Sequence, residues 1–164
     1  MNSEKRGRAI ILNNKEFVCD KKTRTGTDVD ASNVCARFKH LGFEVVRHNN
    51  KTGEQMKETI TDVSALDFSS CDCLVCVILS YGEEGLIYGT EGPVQIKDFV
   101  DPFKRNKSLA GKPKLFFTNG AGMAAEYVNG VLFRRVETHI IPREADFLIA
   151  YSTVPGNLSW EGQG

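Results

Sequence analysis

An α/β fold, with a mostly parallel sheet flanked by helices on both faces, is what this sequence predicts. Three observations carry that expectation. Residues 72–80 are apolar on both alternating faces, the pattern of a central parallel strand covered on both sides. Residues 28–41 and 52–66 repeat their apolar side chains at helical spacing. Each of those stretches lies between two strand-like runs, the order that a crossover connection requires.

Taken in order, residues 9–13 read as a buried strand that stops at Asn13 and Asn14. Residues 28–41 follow as a helix with Val29, Val34, Phe38 and Leu41 on its inward stripe and Gly42 as its stop signal. Residues 43–46 form a second strand. Thr52 then opens a helix through residue 66, with Glu54 and Glu58 near its start and Met56, Ile60, Val63 and Leu66 inward. After the central strand, residues 81–92 are rich in glycine and glutamate and read as a loop with room for a small hairpin. Residues 94–103 have an amphipathic, helical pattern. Strands follow at 114–118, after Pro113, and at 146–153, after Pro142.

The chain has 164 residues, which fits one domain with a real core. Its 21 basic and 21 acidic residues balance, and neither half carries an excess, so nucleic acid and anionic membranes are excluded as default partners. The longest apolar runs fall far short of a bilayer span. A polar start that leads straight into a strand implies no signal peptide. Five cysteines, an odd number, point to a reducing compartment, so a soluble cytoplasmic protein is expected. Cys71, Cys73 and Cys76 lie on a strand with no second ligand pair nearby, and read as buried thiols rather than a metal site. The glycine-rich stretch lacks the lysine and helix start of a phosphate loop. No metal and no cofactor are expected.

In such sheets chemistry collects at the carboxyl ends of the strands. Those ends hold Arg24-Thr25-Gly26-Thr27-Asp28, then Leu79-Ser80-Tyr81-Gly82-Glu83, then Asn119-Gly120-Ala121-Gly122-Met123. Together with Leu41-Gly42-Phe43-Glu44-Val45, Lys112-Pro113-Lys114-Leu115-Phe116 and Ala150-Tyr151-Ser152-Thr153-Val154-Pro155-Gly156, they resemble the caspases in sequence and order across nearly the whole chain. The resemblance implies a caspase-like (haemoglobinase-type) sheet: a large-subunit-like core over residues 1–121, an inter-subunit linker over 122–144, and the start of a small subunit over 145–164, truncated at that end. It also implies the chemistry of a cytosolic cysteine endopeptidase that cuts after Asp.

The residues that such chemistry needs are replaced. A cysteine protease requires a thiolate to attack the carbonyl and an imidazole to activate the thiol and protonate the leaving amine. In the family's Gln-Ala-Cys-x-Gly signature the cysteine position falls on Ala121. The family's His-Gly pair becomes Tyr81-Gly82. Alanine has no nucleophile, and a phenol of pKa about 10 is a poor base at neutral pH. Gly82 and residue 121 keep the backbone N–H groups of an oxyanion hole.

The resemblance also assigns a pocket for the substrate aspartate. Arg24 matches one of its arginines, Asn119 stands for its glutamine, Glu161 stands for its second arginine, and Trp160 matches its aromatic. Glu161 is expected to pair with Arg24 from inside the pocket. The linker carries three glutamates and no aspartate, so the chain is expected to stay uncleaved. Family members continue past the point that matches Gly164, so the usual dimer interface is expected to be missing and residues 146–153 to form an open edge. No death-fold module is expected ahead of residue 9.

Together these features lead to a catalytically inactive caspase homologue of the apoptotic protease system. It would be a decoy or regulator whose partners are active caspases, their zymogens or caspase inhibitors. Two rivals remain: a cysteine-type endopeptidase with an unexpected nucleophile such as Ser80 or Thr118, and a non-functional fragment.

Overall fold

The computed structural model describes residues 5–18, 23–83, 85–122, 127–128, 131–132 and 146–151. In chain order its elements are β1 (Lys5–Asn13), α1 (Thr27–His40), β2 (Phe43–Asn49), α2 (Gly53–Ser64), β3 (Cys71–Glu83), β4 (Leu86–Tyr88), β5 (Pro93–Gln95), α3 (Lys97–Lys104), β6 (Lys114–Gly122), β7 (Tyr127–Val128), β8 (Val131–Leu132) and β9 (Phe147–Tyr151). Strands β2, β1, β3, β6 and β9 lie side by side, all parallel, as the alternation of strand and helix requires. Where β1 ends at Asn13, opposite Leu79, the longer β3 continues and β4 pairs with it antiparallel, followed by β5. The fold is α/β, as expected.

Two cores follow from alternation along the strands. On one face Ile10, Leu12, Leu74, Cys76, Ile78 and Phe116 pack against Met56 and Ile60 of α2 and against Phe99 and Phe103 of α3. On the other, Ala9, Ile11, Val75, Val77 and Leu79 pack against Ala31, Val34, Cys35 and Phe38 of α1. Burial pushes the Cys76 thiol up to about 12, so it stays protonated. Cys71, the first residue of β3, joins the core of Cys76, while Cys73 donates to the Arg6 carbonyl at 3.5 Å.

Two helix faces differ from the sequence expectation. Val29 and Leu41 are exposed: the buried stripe of α1 runs through Ala31, Val34, Cys35 and Phe38, and Val29 lies about 200° around the helix from Ala31. Leu66 is exposed because α2 ends two residues before it. Gly42 stops α1 as expected, with φ of +85° and its N–H bonded to the Lys39 carbonyl at 3.0 Å. Thr52 caps α2 in a reciprocal capping box with Gln55.

The segment from residue 81 to 103 also departs from expectation. Residues 81–83 continue β3 rather than opening a loop, and a tight turn through Gly85 (φ +71°) returns the chain as β4. Val94 is buried between exposed neighbours and pairs with Ile87, so it belongs to β5 and the helix starts at Lys97. Strand β6 runs four residues past Thr118, because the extended β3 offers partners as far as Gly82.

The β4–β5 turn docks on the start of α2, where Gly53 donates to the Glu91 carbonyl at 3.0 Å and Thr90 to the Lys51 carbonyl at 2.9 Å. A Cβ on Gly89 would sit 2.0 Å from the Gly53 nitrogen, a backbone atom with no rotamer to give way. Gly89→Ala is therefore expected to cost about 2–3 kcal/mol by overpacking. Gly85→Ala, open to solvent, is expected to cost only about 1 kcal/mol for its left-handed φ. Urea melts of the two variants check this, and equal midpoints would refute the close approach at Gly89.

Candidate functional site

At the carboxyl end of the sheet, the register brings the expected residues together. Tyr81 of β3 stands directly opposite Ala121 of β6, and Leu79 opposite Asn119. Adjacent strands lie about 4.8 Å apart, so positions 81 and 121 are immediate neighbours. Gly82 is in register with Ile87 on one side and Gly122 on the other, and so lies between two strands. Trp160 and Glu161 lie outside the described residues, as does most of the 122–144 linker, of which β7 and β8 form a two-stranded antiparallel pair.

Arg24 arrives from the segment between β1 and α1, where its N–H donates to the Lys15 carbonyl at 3.0 Å. Its side chain is only 2% exposed. The guanidinium carbon lies 5.8 Å from the centre of the Tyr81 ring, within cation–π range. The Tyr81 ring also meets Phe17, centroids 5.0 Å apart and tilted by 56°. Phe17 carried no sequence signal. It contributes only because the loop after β1 lays it against β3.

Behind Arg24 a polar network ties the ends of β1 and β2 to the first turn of α1. Arg24 Nη1 donates to Thr27 Oγ1 at 3.0 Å, and that hydroxyl donates to Asn13 Oδ1 at 2.7 Å. Asn13 Nδ2 donates to Asp28 Oδ1 at 2.9 Å and to Asn49 Oδ1 at 3.2 Å. Lys15 Nζ and Arg47 Nη2 reach the Asp28 carboxylate at 2.8 and 3.0 Å. The hydrogen bond from Lys15, then that from Asn13, holds Asp28 below the usual carboxylate range. Asp28 also sits in the first turn of α1, where a negative charge complements the helix dipole.

The alternative nucleophiles face away from this group. Ser80 is buried and donates to the Tyr88 carbonyl at 2.5 Å, which commits its proton. It alternates with Tyr81 along β3, and Thr118 alternates with Asn119 along β6, so both turn toward the α2–α3 side of the sheet. Among the described residues the histidines are His40, at the end of α1, and His48, on β2 and separated from β3 by β1. Burial, then Lys51, lowers the His48 pKa. No helix of the described residues is long and apolar enough to cross a membrane. Among them no three potential ligands gather to hold a metal ion.

Known proteins match this sequence over all or nearly all of its length. Chicken (Gallus gallus) caspase-7 is 43% identical over 180 aligned positions, covering 100% of this chain and 58% of that protein. Caspase-3 of rabbit (Oryctolagus cuniculus) is 42% identical, and that of mouse (Mus musculus) 43%, each over 163 positions that cover 94% of this chain and 58% of the relative. The chain thus spans under two thirds of the length of these relatives. The caspase domain family model matches residues 6–164. With the parallel sheet and that match in agreement, the chain belongs to the caspase domain family.

Proposed function

We propose that this chain is a catalytically inactive caspase homologue that works by association in the cytosol. It regulates active caspases or their zymogens, or acts as a decoy that holds their inhibitors or substrates. One observation carries the reading: positions 81 and 121, neighbours at the carboxyl end of the sheet, hold tyrosine and alanine. The packing of Tyr81 against both Phe17 and Arg24 supports it, since the ring covers the cation that the family resemblance assigns to an acidic side chain. Asn119 lies two residues before Ala121 on β6, and the family resemblance assigns Trp160 and Glu161 to the same pocket.

Family membership favours a second reading, a cysteine-type endopeptidase that cuts after Asp. That activity would need a nucleophile other than residue 121, and the burial of Ser80 and Thr118 counts against both substitutes.

A titration separates the readings. Purified protein is added to an active executioner caspase and, in parallel, to its zymogen, while Asp-peptide cleavage is followed. A silent blank with a dose-dependent rise or fall is the expected result. Cleavage by the protein alone, after contaminating caspases are removed, would establish the endopeptidase. A silent blank with no effect on either form would defeat the regulatory role.

A further inference from the structure

The network behind Arg24 has a direction that follows from hydrogen-bonding capacity alone. A guanidinium only donates and an ionised carboxylate only accepts, whereas a hydroxyl or a carboxamide does both. Between Arg24 and Asp28 stand one hydroxyl, Thr27, and one carboxamide, Asn13, and the donors run one way along them. Arg24 donates to Thr27, Thr27 donates to Asn13, and Asn13 donates to Asp28.

The far end is pinned as well. Arg47 donates to Asp28 and, through Nε at 2.7 Å, to Asn49 Oδ1, so both acceptors that Asn13 meets turn oxygen toward it. Asn13 must therefore present its NH₂ to β2 and α1 and its carbonyl oxygen to Thr27. If the amide were reversed, the Thr27 hydroxyl proton would be left without that acceptor at a buried position.

We propose that Asp28 is a positioning residue: acting through Asn13 and Thr27, it fixes the direction in which Arg24 holds its guanidinium beneath Tyr81. This rests on the reading of Arg24 as the cation of the cleft. It identifies a determinant of that cleft that does not itself reach it, on the first turn of α1. Thr27 is the link through which the state of Asp28 reaches Arg24. A swinging surface arginine would lose rotamer freedom on meeting an acidic ligand; one held in this way has lost it already.

The test follows the Arg24 side chain by NMR in the full chain labelled with ¹⁵N-arginine. Held by Thr27, the wild-type Arg24 guanidinium is expected to give separate Nη signals, because rotation about its Nε–Cζ bond is slowed. Thr27→Val, nearly isosteric but without the hydroxyl, is expected to merge them, and Thr27→Ser to restore them. Asp28→Asn is expected to shift the Arg24 Nη signals although residue 28 is three hydrogen bonds away. Asp28 is partly exposed, so that variant keeps the test open if Thr27→Val fails to fold.

The proposal is overturned if Asp28→Asn leaves the Arg24 signals at their wild-type positions, or if Thr27→Ser behaves like Thr27→Val while backbone amides stay native. A separate arm titrates an N-acetylated tetrapeptide ending in aspartate into wild type. If that peptide leaves Arg24 unperturbed while Asp28→Asn still shifts it, the cleft reading falls and the positioning role stands.

Discussion

Purified protein is expected to show no hydrolysis of Asp-peptide amides detectable above a buffer blank, after a loss of about 10⁶ in turnover relative to an enzyme with its nucleophile. The register of β3 against β6 makes the cause testable, since positions 81 and 121 are adjacent. Ala121→Cys alone supplies a thiol of ordinary pKa, about 8.5, only a few per cent thiolate at neutral pH. Adding Tyr81→His places an imidazole beside it, and an adjacent imidazolium stabilises the thiolate. The pH profile of iodoacetamide labelling is therefore expected to move down by at least about one unit in the double variant, with about tenfold faster labelling at pH 6. The single Cys variant should show no such shift. Identical profiles for the two would mean that positions 81 and 121 are not neighbours in solution. Wild-type hydrolysis above the blank would refute inactivity itself.

Asp146→Ala is expected to destabilise the protein by about 3 kcal/mol, the cost of leaving a buried charge without its partner. Lys114 opens β6 and is only 2% exposed. Its ammonium donates to the Asp146 carboxylate at 2.5 Å and to the carbonyls of Leu109 and Lys112, each at 2.9 Å. The Lys114 N–H also donates to the Asp146 carbonyl at 2.8 Å, and the ammonium lies 4.7 Å from the centre of the Phe147 ring. Asp146 thus joins the start of β9 to the start of β6 through both main chain and side chain. Removing both charges in Lys114→Met with Asp146→Leu is expected to cost less than Asp146→Ala alone, because no unpaired ammonium remains buried. Urea denaturation of the variants checks the order, and a double variant worse than the single would defeat the account.

The same pair sets a dependence on pH. The hydrogen bond from Lys114 lowers the Asp146 pKa from its ordinary value. A carboxylate depressed in the folded state adds stability that is fully present above its unfolded pKa, about 4, and that is lost as pH falls through the lower folded value. The stability gap between wild type and Asp146→Asn is accordingly expected to be constant near neutrality and to close on acidification below pH about 4. A gap that stays constant down to pH about 2 would show that the carboxylate has no special partner.

Much of the frame was legible in the sequence, because periodicity and stop signals are local. The strong apolar run of β3, the threonine that opens α2 and the glycine that ends α1 were each readable from neighbouring residues. Helix faces were less so. Val29 and Leu41 satisfy a helical spacing yet stay exposed, since the sheet, not the spacing, selects which stripe is covered. The strand identity of residues 93–95 was hidden for a similar reason: Val94 is a strand residue only because Ile87 returns beside it.

The candidate site divides along the same line. Sequence alone determined the chemistry on offer, because an absent thiol and an absent imidazole at positions 121 and 81 are facts of composition. Tertiary structure decided the rest: that those positions adjoin, that Tyr81 meets both Phe17 and Arg24, and that Asn13, Thr27 and Asp28 form one directed chain behind Arg24. These contacts join a loop, two strands and a helix start, and no local pattern encodes them. Which side chains meet there is set by strand register and helix docking, and both depend on how the whole sheet buries its two faces.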